Sequence, residues 1–265
     1  MNWVFILGGS SGFGLASAKL FAEKGYNIFI VHHDRKSKLK EVENEFENIR
    51  RSGVSFININ TNAITSEGQS IILEKLKTCI NSGNKIEVFL HSIAYGNINA
   101  IINLTSELSS DTTLTEDNYL HTINAMGVSF ITWSKLLLEK GFFADTARII
   151  GITSEGSQKV IEGYSAVGAA KSVLESGCRY LAVELAPFGI TTNLINAGIT
   201  DTPALKALTS YENIIKLTEK KNPFKRLTVP SDVAKFIYLL TREEASWVNG
   251  EVIRVDGGEQ INTMI

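Results

Sequence analysis

Short runs of β-branched and aromatic residues alternate along the chain with longer stretches in which apolar residues recur every three to four positions. The short runs predict strands over 3–7, 27–31, 54–59, 87–91, 147–153, 191–196 and 251–255. The helical period predicts helices over 15–24, 38–51, 69–81, 117–140, 164–186 and 231–240. Strand–helix alternation with nearly continuous apolar strands implies βαβ units, hence a parallel sheet buried on both faces. The predicted fold class is therefore α/β: a Rossmann-type doubly wound parallel sheet of about seven strands with helices on both faces. No linker, repeat or low-complexity tract interrupts the alternation, so residues 1–265 read as one domain. The least regular stretches, 96–116 and 200–226, are long for loops inside a compact domain, which makes them candidates for function.

Composition narrows this picture mainly by exclusion. With 44% hydrophobic residues in 265, the chain can fill a full core. Its formal charge of −2, with acids and bases interspersed, lacks the basic footprint of nucleic-acid binding. Cys79 and Cys178 stand alone, without a CxxC or a Cys/His cluster, so we expect a reducing compartment, two buried inert thiols and no metal site. The apolar start at residues 3–7 runs directly into glycines without a basic flank, which suits a first strand better than a signal peptide. No apolar run reaches membrane-spanning length, so the expectation is a cytoplasmic protein with no membrane partner.

Chemistry enters at "LGGSSGFG", residues 7–14, which follows the first predicted strand and opens the first helix. In that context backbone N–H groups and a helix N-terminus can meet a pyrophosphate. Gly8 permits the tight turn, Gly12 lets the backbone approach a dinucleotide, and Gly14 lets the helix pack closely.

From Val4 to Gly258 the chain resembles a short-chain dehydrogenase/reductase. The family's Thr-Gly-x-x-x-Gly-x-Gly turn matches residues 7–14 with Leu7 in place of Thr; its helix Asn matches Asn124 in "TINAMG", its active-site Ser matches Ser154 in "GITSEGS", and "NGEVIRVDGG" is typical of its C-terminal end. Three departures resemble one branch, the enoyl-acyl-carrier-protein reductases of Bacillus type: His91-Ser92-Ile93-Ala94 after the fourth strand, Ala197-Gly198 after the sixth, and Tyr164 seven residues before Lys171 instead of four. The resemblance implies a single NAD(P)-binding domain, hydride transfer to an enoyl thioester in fatty-acid or polyketide-like synthesis, and a homotetramer. It makes Tyr164, Lys171, Ser154 and Asn124 the catalytic candidates. The cofactor-binding candidates are Gly8, Ser10, Ser11, Gly12, Phe13, Gly14, His33, Arg35, Asn62, Ser92, Ile93, Ala94, Lys171, Gly198, Ile199 and Thr202.

The spacing has a chemical reading. On a helix, residues four and seven apart are rotated by about 40° and about −20°, so both share a face; rise separates them. Lys171 lies seventeen residues after Ser154, the usual family separation, so Tyr164 is the member that moved, by about 4.5 Å along the axis. In a ketone the oxygen is one bond from the carbon that takes hydride; in an enoyl thioester it is three bonds away, which suits a more distant phenol. Tyr164 would hydrogen-bond the thioester oxygen. Lys171 would hold the nicotinamide ribose and make the phenol more acidic. Ser154 would donate a second hydrogen bond or merely cap the strand end. Asn124 would order a helix kink and a water near Lys171. A carbonyl reductase with a displaced tyrosine is the competing reading, and a cofactor-binding regulatory protein without catalysis a third.

At the tip of the second strand, where an NAD enzyme is expected to place a carboxylate, stands His32; Asp34 is two further on. Arg35 and Lys36 could meet a 2′-phosphate, as could Ser10 and Ser11, which favours NADPH while leaving NADH possible. The paired histidines are read as loop residues. Residues 200–226 are the expected substrate-binding loop or helices. Residues 206–226 carry six bases against two acids, suited to an acidic acyl carrier protein or a CoA phosphate, or equally to a solvated amphipathic helix.

Overall fold

The computed structural model describes residues 2–81, 83–102, 113–206 and 211–263. The apolar runs form strands β1 (Trp3–Leu7), β2 (Asn27–His32), β3 (Phe56–Asn60), β4 (Ile86–His91), β5 (Phe143–Thr153), β6 (Thr191–Ala197) and β7 (Val252–Val255). They make one parallel sheet in the order β3-β2-β1-β4-β5-β6-β7. The order reverses between β1 and β4, so the loops leaving their carboxyl ends diverge and open a crevice there. Leu7 is in register with both Val31 and His91, which brings the glycine-rich turn beside the residues that follow β4.

Alternation along each strand sends side chains into two cores. Phe5, Leu7, Phe29 and Phe89 pack against α3 (Ser66–Cys79), α5 (Ser129–Glu139) and α6 (Ser165–Leu185). Val4, Ile6, Ile28 and Ile30 pack against α1 (Gly12–Glu23), α2 (Leu39–Arg50) and α9 (Pro230–Leu240). Phe5 is the centre of the first core, 5.5 Å from the rings of Phe29, Phe89 and Trp133. Its burial stabilises the fold by about 1.5–3 kcal/mol.

Four local differences from the sequence reading bear on the site. β2 extends to His32, which is buried against the Phe46 ring and is not a loop residue. The predicted 117–140 helix is interrupted: α4 (Glu116–Ile123) passes through a π-turn at Asn124–Val128 into α5. β5 begins at Phe143, because a bulge lets Ile86 pair with Phe143 and Val88 with Arg148, hiding the strand under polar Asp145 and Thr146. Within 200–226 lie two helices, α7 (Pro203–Lys206) and α8 (Tyr211–Lys221). Residues 103–112, most of the irregular 96–116 stretch, lie outside the described residues. Both cysteines are free; Cys178 is buried as expected but Cys79 is half-buried, and burial raises both thiols, Cys178 to about 12. No helix among the described residues is long and apolar enough to cross a membrane, and no cluster of His, Cys, Asp and Glu among them could hold a metal ion.

Candidate active site

The crevice is built first from backbone. Gly8 turns the chain at φ +84°, and a Cβ there would stand 2.4 Å from the carbonyl oxygen of Ser92; the Ser92 amide in turn donates to Leu7. Gly14 lies so close to the Gly8 carbonyl that a Cβ would be 2.1 Å from it, so α1 packs on the turn itself. Gly12 differs: at φ +53° its missing Cβ faces only the Thr202 methyl at 3.6 Å. Ser11, the N-cap of α1, makes no side-chain capping bond. A helix N-terminus with an uncapped serine, fronted by a space that a Cβ would narrow, fits a dinucleotide pyrophosphate. Gly8, Ser10, Ser11, Gly12, Phe13, Gly14, Ser92 and Thr202 are thus gathered on one rim. Ile93 joins the apolar cluster behind Tyr164, and Ala94 is exposed beside it.

At the far end of this rim His32 Nδ1 donates to Asp34 Oδ2 over 2.8 Å, and the Asp34 backbone exchanges two hydrogen bonds with the Asn60 side chain. His33, Arg35 and Lys36 are exposed beyond it. Asn62 is half-buried in the loop after β3, where its side-chain oxygen accepts from the Ile64 amide.

Lys171 is buried on α6 and donates to Ile152 O over 2.8 Å, two residues before Ser154. Burial lowers it to about 8, while Glu175 one turn on pulls the other way. Glu175 is itself buried and accepts from the hydroxyls of Thr153 at 2.8 Å and Ser157 at 2.7 Å, so it fixes the loop after β5 against α6. His91 is fully enclosed beside Lys171. Desolvation first, and then the Lys171 charge, hold it down to about 3, so the imidazole is neutral. The Ser129 hydroxyl donates to Ala125 O at 2.7 Å, so His91 must donate Nε2–H to Ser129 Oγ, also at 2.7 Å. This chain ties the tip of β4 into the π-turn. Gly127 in that turn meets α6 closely enough that a Cβ would stand 2.7 Å from Ala170 O. Asn124 opens the turn, as a kink there requires, but its side chain is exposed and makes no hydrogen bond among the described residues.

Tyr164 is the N-cap of α6, at φ −100° and ψ 8°, and not its first helical residue. Its carbonyl accepts the first intrahelical bond from Gly168 at 2.7 Å, so the axial displacement expected from the spacing holds, but helical rotation does not set the direction of the ring. Two glycines set it. A Cβ on Gly156 would be 2.6 Å from two carbons of the Tyr164 ring, and one on Gly168 would be 2.4 Å from Gly156 O. The ring packs onto the cluster of Ala125, Met126, Val167 and Ala170, with Ile93 and Ile98 beside it. Burial holds the phenol above its ordinary range; the group that pulls it down is Ser154. Lys171, expected to make the phenol more acidic, does not contribute here: burial sets the shift, with Ser154 opposing it, and Lys171 spends a donor on Ile152 O. Ser154 Oγ is buried with no hydrogen bond of its own, facing the phenol without reaching bonding geometry.

Gly198 and Ile199 complete the crevice. A Cβ on Gly198 would stand 2.3 Å from Thr228 Oγ1; the Ile199 carbonyl accepts from the Thr228 amide, and its amide donates to Glu259 at 3.2 Å. Gly156, Gly168, His91, Glu175 and Glu259 were not singled out by role from the sequence. For Gly168 a signal existed, since it occupies the position where the common spacing after Tyr164 would put lysine.

A phenol and a partnerless hydroxyl over an apolar floor, a buried ammonium below, and a glycine-lined helix N-terminus opposite make a site for hydride transfer to a polarised oxygen-bearing substrate. The enoyl-(acyl carrier protein) reductase family model matches residues 8–260. The chain belongs to this family. Within the short-chain dehydrogenase/reductase superfamily its members are NAD(P)H-dependent oxidoreductases. The chain is 26% identical over 250 residues to FabI of Staphylococcus aureus, named an enoyl-acyl-carrier-protein reductase (NADPH), covering 94% of this chain and 91% of that one. It is 29% identical over 218 residues to FabI of Bacillus cereus, named for NADH, covering 77% and 81%. The crystal structure of the NADH enzyme from Aquifex aeolicus superposes with a TM-score of 0.82 at 23% identity, covering 100% of this chain and 98% of that one.

Proposed function

We propose that the reductase saturates the 2,3 double bond of an enoyl thioester with NADPH, on an acyl carrier protein or CoA, in fatty-acid or polyketide-like synthesis. The observation that carries this reading is the place of Tyr164, one turn before the common position and at the N-cap of α6. Reduced nicotinamide, when bound, would supply the hydride for the β-carbon. As charge develops on the thioester oxygen, the Tyr164 phenol donates a hydrogen bond to it, a role suited to a group whose proton is held firmly by burial. The Ser154 hydroxyl, without a protein partner, supplies a second donor. The α-carbon then takes a proton from Tyr164 or solvent. Lys171 has donors to spare beyond Ile152 O and would hold the nicotinamide ribose.

NADPH is favoured because Asp34, the carboxylate nearest the tip of β2, is turned inward onto buried His32, whereas Arg35 and Lys36 make no ion pair among the described residues. An acidic carrier is favoured by Lys216, Lys220 and Lys221 on α8, which have no ion pair among the described residues, although Lys206 and Arg226 are paired with Asp201 and Asp232. A homotetramer would cover apolar side chains that α6 leaves exposed, Tyr180 at 69% and Val183 at 75%. Carbonyl reduction is the second reading, favoured by Ser154, which is the residue that carbonyl-reducing relatives carry there.

The test is Tyr164→Phe. Turnover of a crotonyl thioester falls by roughly a hundredfold or more, with NADPH affinity within about twofold of the wild type; equal loss of both would reduce Tyr164 to a structural part.

A further inference from the structure

Glu259 has no part in the chemistry above, yet at 3% exposure it is the least exposed carboxylate among the described residues. Both its oxygens face one donor, the Ile199 amide, Oε2 at 3.2 Å and Oε1 at 3.5 Å. It has no ion-pair partner among the described residues. The segment that carries it is pinned on three sides. Asn222 Nδ2 donates to Asp256 O at 3.0 Å, Gln260 Nε2 to Asn196 Oδ1 at 2.9 Å, and Asn262 Nδ2 to Lys221 O. Gly257 and Gly258, at φ +64° and +84°, give the turn a path that other residues rarely adopt. The Ile199 peptide is therefore gripped on both sides, its carbonyl by the Thr228 amide and its amide by Glu259.

A buried anion is costly unless it is paired or hydrogen-bonded, and Glu259 has one donor, the Ile199 amide, among the described residues. We propose that Glu259 is a positioning residue for the nicotinamide end of the cofactor: its carboxylate holds the Ile199 amide and sets a negative charge behind the loop flanking the ring, favouring the oxidised, cationic cofactor over the reduced, neutral one. This rests on the proposed function, in which the cofactor-binding candidate Ile199, on the loop after β6, flanks the nicotinamide as the family resemblance implies. The charge is conditional on pH. Desolvation first, then Glu155 and Asp256, push the carboxyl up to about 7, against the Ile199 amide and Lys221, which favour the anion. Asp256 spends its own oxygens on the amides of Gly258 and Gln260, and Glu155 is paired with Lys159. Glu259 is thus the group of this cluster whose charge appears as pH rises through neutrality.

The experiment measures binding of NADPH by fluorescence, and of NADP+ by displacement, to the full chain without thioester between pH 5.5 and 8.5. In the wild type the preference for NADP+ over NADPH rises by about tenfold across neutrality. The 2′-phosphate is common to both ligands and cancels from the ratio. Glu259→Gln keeps an acceptor for the Ile199 amide but no charge, so its ratio starts at the wild-type acid value and keeps only the change that Lys171 contributes near pH 8; Glu259→Asp restores part of the lost pH dependence. Lys171 is unchanged in these variants, so its titration is subtracted by comparison. A ratio in Glu259→Gln that still follows the wild-type curve, or equal weakening of both ligands at every pH, overturns the proposal. Tight binding with a flat wild-type ratio overturns it alone, whereas a wild type that binds neither ligand overturns the reading of the site as well.

Discussion

The two halves of the crevice are built differently. The half formed by the tips of β1 and β2 is backbone: Gly8, Gly12 and Gly14, close together in sequence, shape a turn by their missing Cβ atoms, with Gly8 set against the Ser92 carbonyl. The half formed by β4 to β7 is side chain, and each functional group there is held by a distant segment. Tyr164 rests on Gly156, His91 on Ser129, the loop after β5 on Glu175, and Ile199 on Glu259. Under the proposed function the first half would meet what every dinucleotide presents, and the second is where one turn of displacement would change which oxygen the phenol can reach.

If that contrast holds, small changes in the second half should cost turnover and spare cofactor affinity, and changes in the first should do the reverse. Gly156→Ala puts a Cβ 2.6 Å from the Tyr164 ring; turnover should fall by about a hundredfold, because misplacing a reacting group by an ångström costs that much, while NADPH affinity moves by less than about twofold. Gly12→Ala should weaken NADPH binding by about tenfold or more, with a loss of stability of only about 1 kcal/mol from its left-handed φ, since its Cβ meets nothing closer than Thr202 at 3.6 Å; isothermal titration and thermal unfolding together check it. A smaller effect comes from pH. Lys171 is charged below about 8 and neutral above, so kcat/KM should fall by up to about tenfold per unit above that point, and an alkaline limb near the ordinary lysine value would contradict a desolvated ammonium at this position. The same depressed pKa gives a stability sign: the protonated, buried lysine penalises the folded state below about 8, and the penalty is relieved as pH rises from there toward 10.5. Smallest, Arg35→Glu should weaken NADPH by about fivefold and leave NADH unchanged; an equal effect on both would remove Arg35 from the 2′-phosphate.

The same division explains what could be read without a structure. The central strands were legible because parallel strands buried on both faces are nearly continuous apolar runs, the edge strands β3 and β7 because their apolar residues are broken only singly by polar ones, and the glycine turn because its spacing is local. The π-turn was not legible in the periodicity, since a single inserted residue between α4 and α5 leaves the helical period nearly intact over the predicted 117–140 span; only the resemblance, through Asn124, pointed to a kink there. α8 buries little beyond Thr218, so its pattern was as consistent with loop as with helix. His32 reads as polar punctuation after "NIFIV"; that it is buried as the last residue of β2 follows from Phe46 arriving from α2 and Asp34 folding back. Glu259 lies sixty residues from its partner in sequence, and only the return of the chain over Ile199 makes it a buried charge. Tyr164 and Lys171 were visible as a spacing, but the phenol is aimed by Gly156, from the loop after β5, and by its close contact with Gly168 on α6, which no spacing shows.

Everything in the second half of the crevice turns on whether the displaced phenol selects the oxygen of an enoyl thioester over that of a ketone. NADPH oxidation by the wild type, measured side by side with crotonyl and acetoacetyl thioesters of one carrier, decides it. The kcat/KM for the crotonyl substrate should exceed that for the acetoacetyl substrate by roughly a hundredfold or more. Equal rates, or turnover of the acetoacetyl substrate alone, would contradict the selection.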